Sequence, residues 1–129
     1  MRILLDTQCW LWMLMAPERL SESSRALVTA AETDLILSAA SAWEIAIKYG
    51  LRKLRLPAHP TELVPDLMTK TAVSALPVHH SHALHVARLP PHHRDPFDRL
   101  LIAQAQLEGL PILTADAQFE RYEIEVIRA

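Results

Sequence analysis

Four acids in this chain stand just past a short apolar run or in the first turn of the helix that follows one. Asp6 comes after Arg2-Ile3-Leu4-Leu5, Glu44 after Leu35-Ile36-Leu37-Ser38, and Asp116 after Ile112-Leu113-Thr114, while Asp98 opens a helix in the run Asp95-Pro96-Phe97-Asp98. In an open parallel α/β sheet the carboxyl ends of the strands share one edge, so acids far apart in sequence meet in one crevice. Carboxylates gathered there repel one another unless a cation joins them. Oxygen-only donor sets suit Mg²⁺ or Mn²⁺ rather than zinc, which favours His and Cys. Such an ion activates water for in-line attack on phosphorus and neutralises charge on the attacked group. The pattern points to a hard-metal site for phosphodiester chemistry.

Each acid also has an ordinary structural role open to it. Ser41-Ala42-Trp43-Glu44 reads as a capping box. Asp95 reads as a cap, with Pro96 at the first helical position and Asp98 near the positive end of the dipole. Asp6 suits the cap of a helix starting at Thr7, and Asp116 that of a turn at residues 117–119. Two features favour a shared site. Residues 41–49 are apolar on nearly every side, with Glu44 and Lys48 as the only charged stripe, which predicts a buried helix. A carboxylate drawn inside with it needs a cation or strong donors. Asp98 leads a similarly apolar helix. Thr114, two residues before Asp116, is a candidate donor to a water at the site or simply a strand-end hydroxyl.

The elements that must position these acids are short. Strands are expected at 2–5, 35–38, 72–76 and 111–114, with a last one around the alternating Ile124 and Val126. Helices are expected over 7–15, 21–32 from a Ser21 cap, 41–49, 61–71, 82–88 and 96–108. Strands alternating with helices predict a mostly parallel sheet in a three-layer α/β/α sandwich. The chain holds two glycines, Gly50 and Gly109, both expected at left-handed helix stops. That leaves none for a P-loop or a dinucleotide-binding turn.

At 129 residues the chain suits one domain over 1–129, with no repeat or linker. The lone Cys9 suits a reducing, cytoplasmic home and core packing. Asp6, Thr7 and Gln8 interrupt the N-terminal apolar run, against an export leader, and no run approaches a membrane span. With 13 basic and 15 acidic residues the formal charge is −2, and setting aside the four acids leaves 11 against 13, a balance of +2. Global charge thus decides nothing about a nucleic-acid partner. The local run Lys48, Arg52, Lys53 and Arg55 is the better candidate for backbone contact. The seven histidines match no closed tetrahedral site and are expected in surface and loop roles. Trp10, Trp12 and Trp43 are expected as core or interface anchors rather than base-stacking platforms.

The chain closely resembles the PIN-domain nucleases, specifically VapC-type toxins of bacterial toxin-antitoxin modules. The matching segments, in the family's order, are Leu4-Leu5-Asp6-Thr7, the stretch from Ser38 to Lys48 around Trp43-Glu44, the stretch from His93 to Ala105 around Arg94-Asp95-Pro96-Phe97-Asp98-Arg99, and Leu113-Thr114-Ala115-Asp116. The resemblance implies a sheet of strand order 3-2-1-4-5 and Mg²⁺-dependent endoribonuclease activity, with Mn²⁺ as the other candidate ion. It implies that Asp6, Glu44, Asp98 and Asp116 bind metal, with Thr7, Ser41, Asp95 and Thr114 in support. Lys48, Arg52, Arg94 and Arg99 are the candidate RNA contacts. It further implies a homodimer and a cognate antitoxin whose tail covers the site. Two rivals stay open: a PIN-like module that binds without cutting, and a receiver-like phosphoacceptor. The second lacks paired acids after the first strand and a late Lys, since none follows Lys70.

Overall fold

The computed structural model describes residues 1–129. Five strands run β1 (Arg2–Leu5), β2 (Asp34–Ser38), β3 (Val73–Leu76), β4 (Ile112–Thr114) and β5 (Val126–Arg128). Six helices lie between them: α1 (Thr7–Met15), α2 (Glu22–Thr29), α3 (Ala39–Gly50), α4 (Pro60–Lys70), α5 (His80–His85) and α6 (Pro96–Glu108). Every strand pair is parallel and the order is β3-β2-β1-β4-β5, as the family resemblance implied.

The three layers follow from the two-residue period of the strands. Leu4, Ile36 and Ile112 point to one face, where they meet Leu101, Ile102 and Ala105 of α6. Ile3, Leu5, Leu35, Leu37 and Leu113 point to the other, against Cys9, Trp10 and Leu11 of α1 and Ile45 of α3. Because both faces are covered, the inner strands read as unbroken apolar runs. β1 lies at the centre, so its C-terminal end brings Asp6 to the middle of the sheet edge. No helix is long and apolar enough to cross a membrane.

Several expected boundaries move, each for a local reason. α3 begins at Ala39 because Ser38 is its cap, its hydroxyl accepting from the Ala40 N–H at 3.0 Å; Ser41 lies inside the helix and the proposed capping box is absent. α2 keeps its Ser21 cap but ends at Thr29, leaving Ala30 to Thr33 to turn back into β2. β5 starts at Val126 rather than Ile124, because the Ile124 N–H closes a tight turn onto the Tyr122 carbonyl. The expected helix over 82–88 begins earlier, at His80, and finishes as a 3-10 turn over Val86–Arg88. Gly109 takes the left-handed conformation (φ 64°) as expected, but after α3 that role falls to Arg52 (φ 59°), with Gly50 still helical.

Candidate functional site

α1, α3 and α6 all start at the carboxyl edge of the sheet, and each brings an acid or its support to one open cavity of about 430 Å³. Its walls carry Asp6, Glu44, Asp98 and Asp116, the four acids singled out in the sequence, together with Asp95. Asp6 and Glu44 are 8% and 5% exposed, so their charges are largely withdrawn from water. Asp6 follows β1 and stands at the N-cap position of α1; Glu44 is one turn into α3 on the stripe with Ser41 and Ile45 that faces inward. Asp98 sits in the first turn of α6, and Asp116 follows β4 and caps a 3-10 turn by accepting the Gln118 N–H at 2.9 Å.

Hydroxyls hold this frame together. Thr114 donates to Asp6 Oδ2 at 2.7 Å and its oxygen accepts the Asp116 N–H at 3.0 Å, so one strand-end side chain sets two of the acids. Thr7 donates to Ser41 across 2.8 Å in a buried bond that ties the start of α1 to α3. Asp95 accepts from the Phe97 and Asp98 N–H groups at 2.8 and 3.1 Å, the N-cap of α6, while still lining the cavity.

The electrostatics show how crowded the acids are. Burial, followed by the neighbouring Asp6, Asp95, Glu44 and Asp116 charges, pushes the Asp98 carboxyl up to about 8. Burial likewise raises Asp6 to about 6; the Thr114 bond opposes this, and Glu44 and Asp116 add to it. Lys48 donates to Glu44 Oε2 at 2.6 Å, and that bond raises the affinity of its ammonium for its proton. Glu44 Oε1 is buried with no partner. An unpartnered buried carboxylate oxygen in a cavity lined by further carboxyls is the donor set a divalent cation completes. The acids therefore fit such an ion.

Lys48 lines the cavity, as does Lys53 from the same basic run. Arg52 and Arg94 are exposed and stay off its walls. Arg99 corrects the expectation of an RNA contact: its guanidinium is committed to the Val86, Leu89, Pro90 and His93 carbonyls at 3.0 to 3.3 Å, bracing the connection before α6. Trp10 is core, but Trp43 is 59% exposed, its ring set edge-on to that of Phe97 with centroids 5.1 Å apart. α3 thus buries one stripe and is not buried all round.

One histidine overturns the expectation of surface and loop roles, and another, in a loop as expected, turns its ring onto the acids. His82 is 2% exposed, wedged against α6, where its Nδ1 accepts the His79 N–H at 3.0 Å and its Nε2 lies 3.3 Å from Glu108. His93 is a site residue the motif reading missed. Its Nε2 lies 2.8 Å from Asp116 Oδ2 and 3.0 Å from Asp98 Oδ2. Its signals in the sequence are its place two residues before the Asp95 cap and at the start of the family-like stretch 93–105.

A family model described as PIN domain matches residues 3–125. Over 71 residues the chain is 44% identical to Ribonuclease VapC16 of Mycobacterium tuberculosis; the stretch covers 55% of this chain and 50% of that protein, so the match spans about half the length of this curated relative. Among solved structures, VapBC2 from Rickettsia felis bound to a promoter DNA fragment superposes with a TM-score of 0.73 at 13% identity, covering 99% of this chain and 98% of that one. A toxin-antitoxin complex from Klebsiella pneumoniae superposes with a TM-score of 0.63 at 16% identity, covering 97% and 95%. At such identities the superpositions speak to the fold. The family model runs from β1 to the threshold of β5 and takes in all four acidic positions, and the chain accordingly belongs to the PIN domain family.

Proposed function

We propose that the chain is a Mg²⁺-dependent endoribonuclease acting as the toxin of a toxin-antitoxin module, with residues 1–129 working as one nuclease domain. The observation that carries this is the convergence of Asp6, Glu44, Asp98 and Asp116 on one open cavity, with a buried Glu44 oxygen left unpartnered. The relative named a ribonuclease and the structural neighbours that are toxin-antitoxin assemblies support the substrate class and the partner.

Asp6, Glu44, Asp98 and Asp116 are the residues that would hold the ion, Mg²⁺ or Mn²⁺. When bound, it supplies Lewis-acid activation of water and charge neutralisation at phosphorus. The chain's own groups do the rest. Thr114 fixes which oxygen of Asp6 faces the cavity. Lys48 offsets one carboxylate charge and, with Lys53, gives the cavity a basic flank for the phosphate backbone. The cavity is open, so a chain of nucleotides can lie across it.

The test is cleavage of total RNA by the purified protein, with sites mapped after brief exposure. Mg²⁺-dependent cuts that disappear with EDTA are expected. RNA left intact in Mg²⁺ and Mn²⁺ alike would favour a module that binds without cutting.

A further inference from the structure

Beside the acids stands a group that the four-carboxylate reading does not use. His93 Nε2 makes a hydrogen bond of 2.8 Å with Asp116 Oδ2, and Asp98 Oδ2 lies 3.0 Å from the same nitrogen. Donor atoms of these three residues all fall within 4.8 Å of one another. Two roles are open to an imidazole so placed: ligand to the ion, or donor to the carboxylates that bind it.

The other ring nitrogen decides between them. His93 Nδ1 lies 3.2 Å from the Asp95 backbone nitrogen and accepts its N–H. An amide N–H can only donate, so Nδ1 presents a lone pair, and the proton of the neutral ring is on Nε2. A nitrogen that carries a proton offers no lone pair to a metal. It offers a donor, and the two oxygens it meets belong to residues that would hold the ion.

The ring is also mounted firmly. The His93 N–H donates to the Tyr122 hydroxyl at 2.7 Å, and that hydroxyl donates to the Pro90 carbonyl at 2.8 Å. Arg99 grips the His93 carbonyl at 3.2 Å. The imidazole packs T-shaped against the ring of the fully buried Phe119, with centroids 5.6 Å apart. Backbone, carbonyl and ring are thus all held, and a side chain locked by its surroundings can place a hydrogen bond accurately.

We propose that His93 is a positioning residue of the acidic site, donating from Nε2–H to Asp116 with Asp98 drawn to the same nitrogen, and so fixing which carboxylate oxygens face the ion. Arg99 and Tyr122 act through it. The inference rests on the reading that the acids hold a divalent cation. Groups that orient metal ligands from outside contribute about 10–100-fold to metal affinity.

The probe is Mn²⁺, titrated into the full chain and followed by electron paramagnetic resonance. His93→Ala is expected to weaken Mn²⁺ binding by about 10–100-fold. His93→Gln, whose amide nitrogen reaches toward the position of Nε2, is expected to restore most of that loss. Pulsed spectra of the wild type should lack the modulation of a directly bound imidazole nitrogen. Nitrogen-15 spectra of the metal-free wild type should show His93 protonated at Nε2, a readout that needs no variant to fold. Unchanged affinity in His93→Ala, no recovery in His93→Gln, a directly bound nitrogen, or a proton on Nδ1 would each overturn the proposal. A wild type that binds no Mn²⁺ would overturn the metal reading beneath it, an outcome distinct from all of these.

Discussion

In the metal-free protein, burial first, with neighbouring carboxylate charges adding to it, holds the Asp6 and Asp98 carboxyls above the ordinary carboxyl range. Asp6 moves from 3.8 to about 6 and Asp98 from 3.8 to about 8. Both values are raised on folding, so between pH 4 and 8 the native state binds more protons than the unfolded chain, and stability falls as pH rises through that window. Urea denaturation in EDTA should therefore give a lower midpoint at pH 8 than at pH 5. Saturating Mg²⁺ should remove or reverse the trend, because the ion competes with the protons. A midpoint in EDTA that rises with pH would show that folding does not raise these two carboxyls. Asp6→Asn and Asp98→Asn follow from the same burial and crowding: each should abolish RNA cleavage while leaving the metal-free melting temperature equal to or above that of the wild type. The acids were legible in the sequence because each stands at a strand end or a helix start, where topology dictates position. His93 was not, because it sits in a Pro-rich connection with no period to read, and only the backbone of Asp95 and the mount beneath it reveal its role.

At the scale of elements, the caps decide where the acids end up. Ser38 starts α3, and this puts Ser41, Glu44 and Ile45 on the inward stripe while Trp43 and Ala46 face solvent. The apolar character of residues 41–49 suggested burial on every side. The 3.6-residue period places only one stripe against the sheet and α1, and Trp43 falls opposite it. Starting the helix two residues later would have rotated no side chain, but it hid Ser38 as the cap. Ser38→Ala should cost about 1 kcal/mol in chemical denaturation, and so should Asp95→Ala, which removes the α6 cap. The Asp95 variant should lose far less cleavage than Asp98→Asn. Equal loss in the two would place Asp95 among the groups that hold the ion rather than among those that hold the helix.

At the scale of the molecule, the sheet order gathers the acids at one edge and leaves apolar surface beside them. Leu11 and Ile45 belong both to the acidic cavity and to an adjoining apolar cavity of about 180 Å³ that also carries Leu14, Met15 and Leu56. Every residue of α1 from Cys9 to Met15 is apolar, more than one sheet face can cover. In the fold Trp10 is buried, Trp12 only partly so, and Met15 is half exposed. Under the proposed toxin reading, that surface is covered by a second copy of the chain or by an antitoxin. A homodimer in light scattering and co-purification with the product of the adjacent gene are the expected results; a stable monomer that ignores that product would contradict the toxin reading. Cys9 takes no part, since burial, then the charge of Asp6, pushes its thiol up to about 12 and leaves it an inert core residue.

On the proposed reading, Asp6 after β1, Glu44 of α3, Asp98 of α6 and Asp116 after β4 hold one divalent centre. Anomalous X-ray diffraction from crystals soaked in Mn²⁺ tests it most directly. Expected is a strong anomalous peak in the cavity about 2.1 Å from carboxylate oxygens of the set Asp6, Glu44, Asp98 and Asp116, the distance of a small hard divalent ion from its oxygens. The peak should be absent in Asp98→Asn crystals soaked identically. Soaked wild-type crystals with no peak in the cavity, or with a peak held by residues elsewhere on the molecule, would contradict the claim.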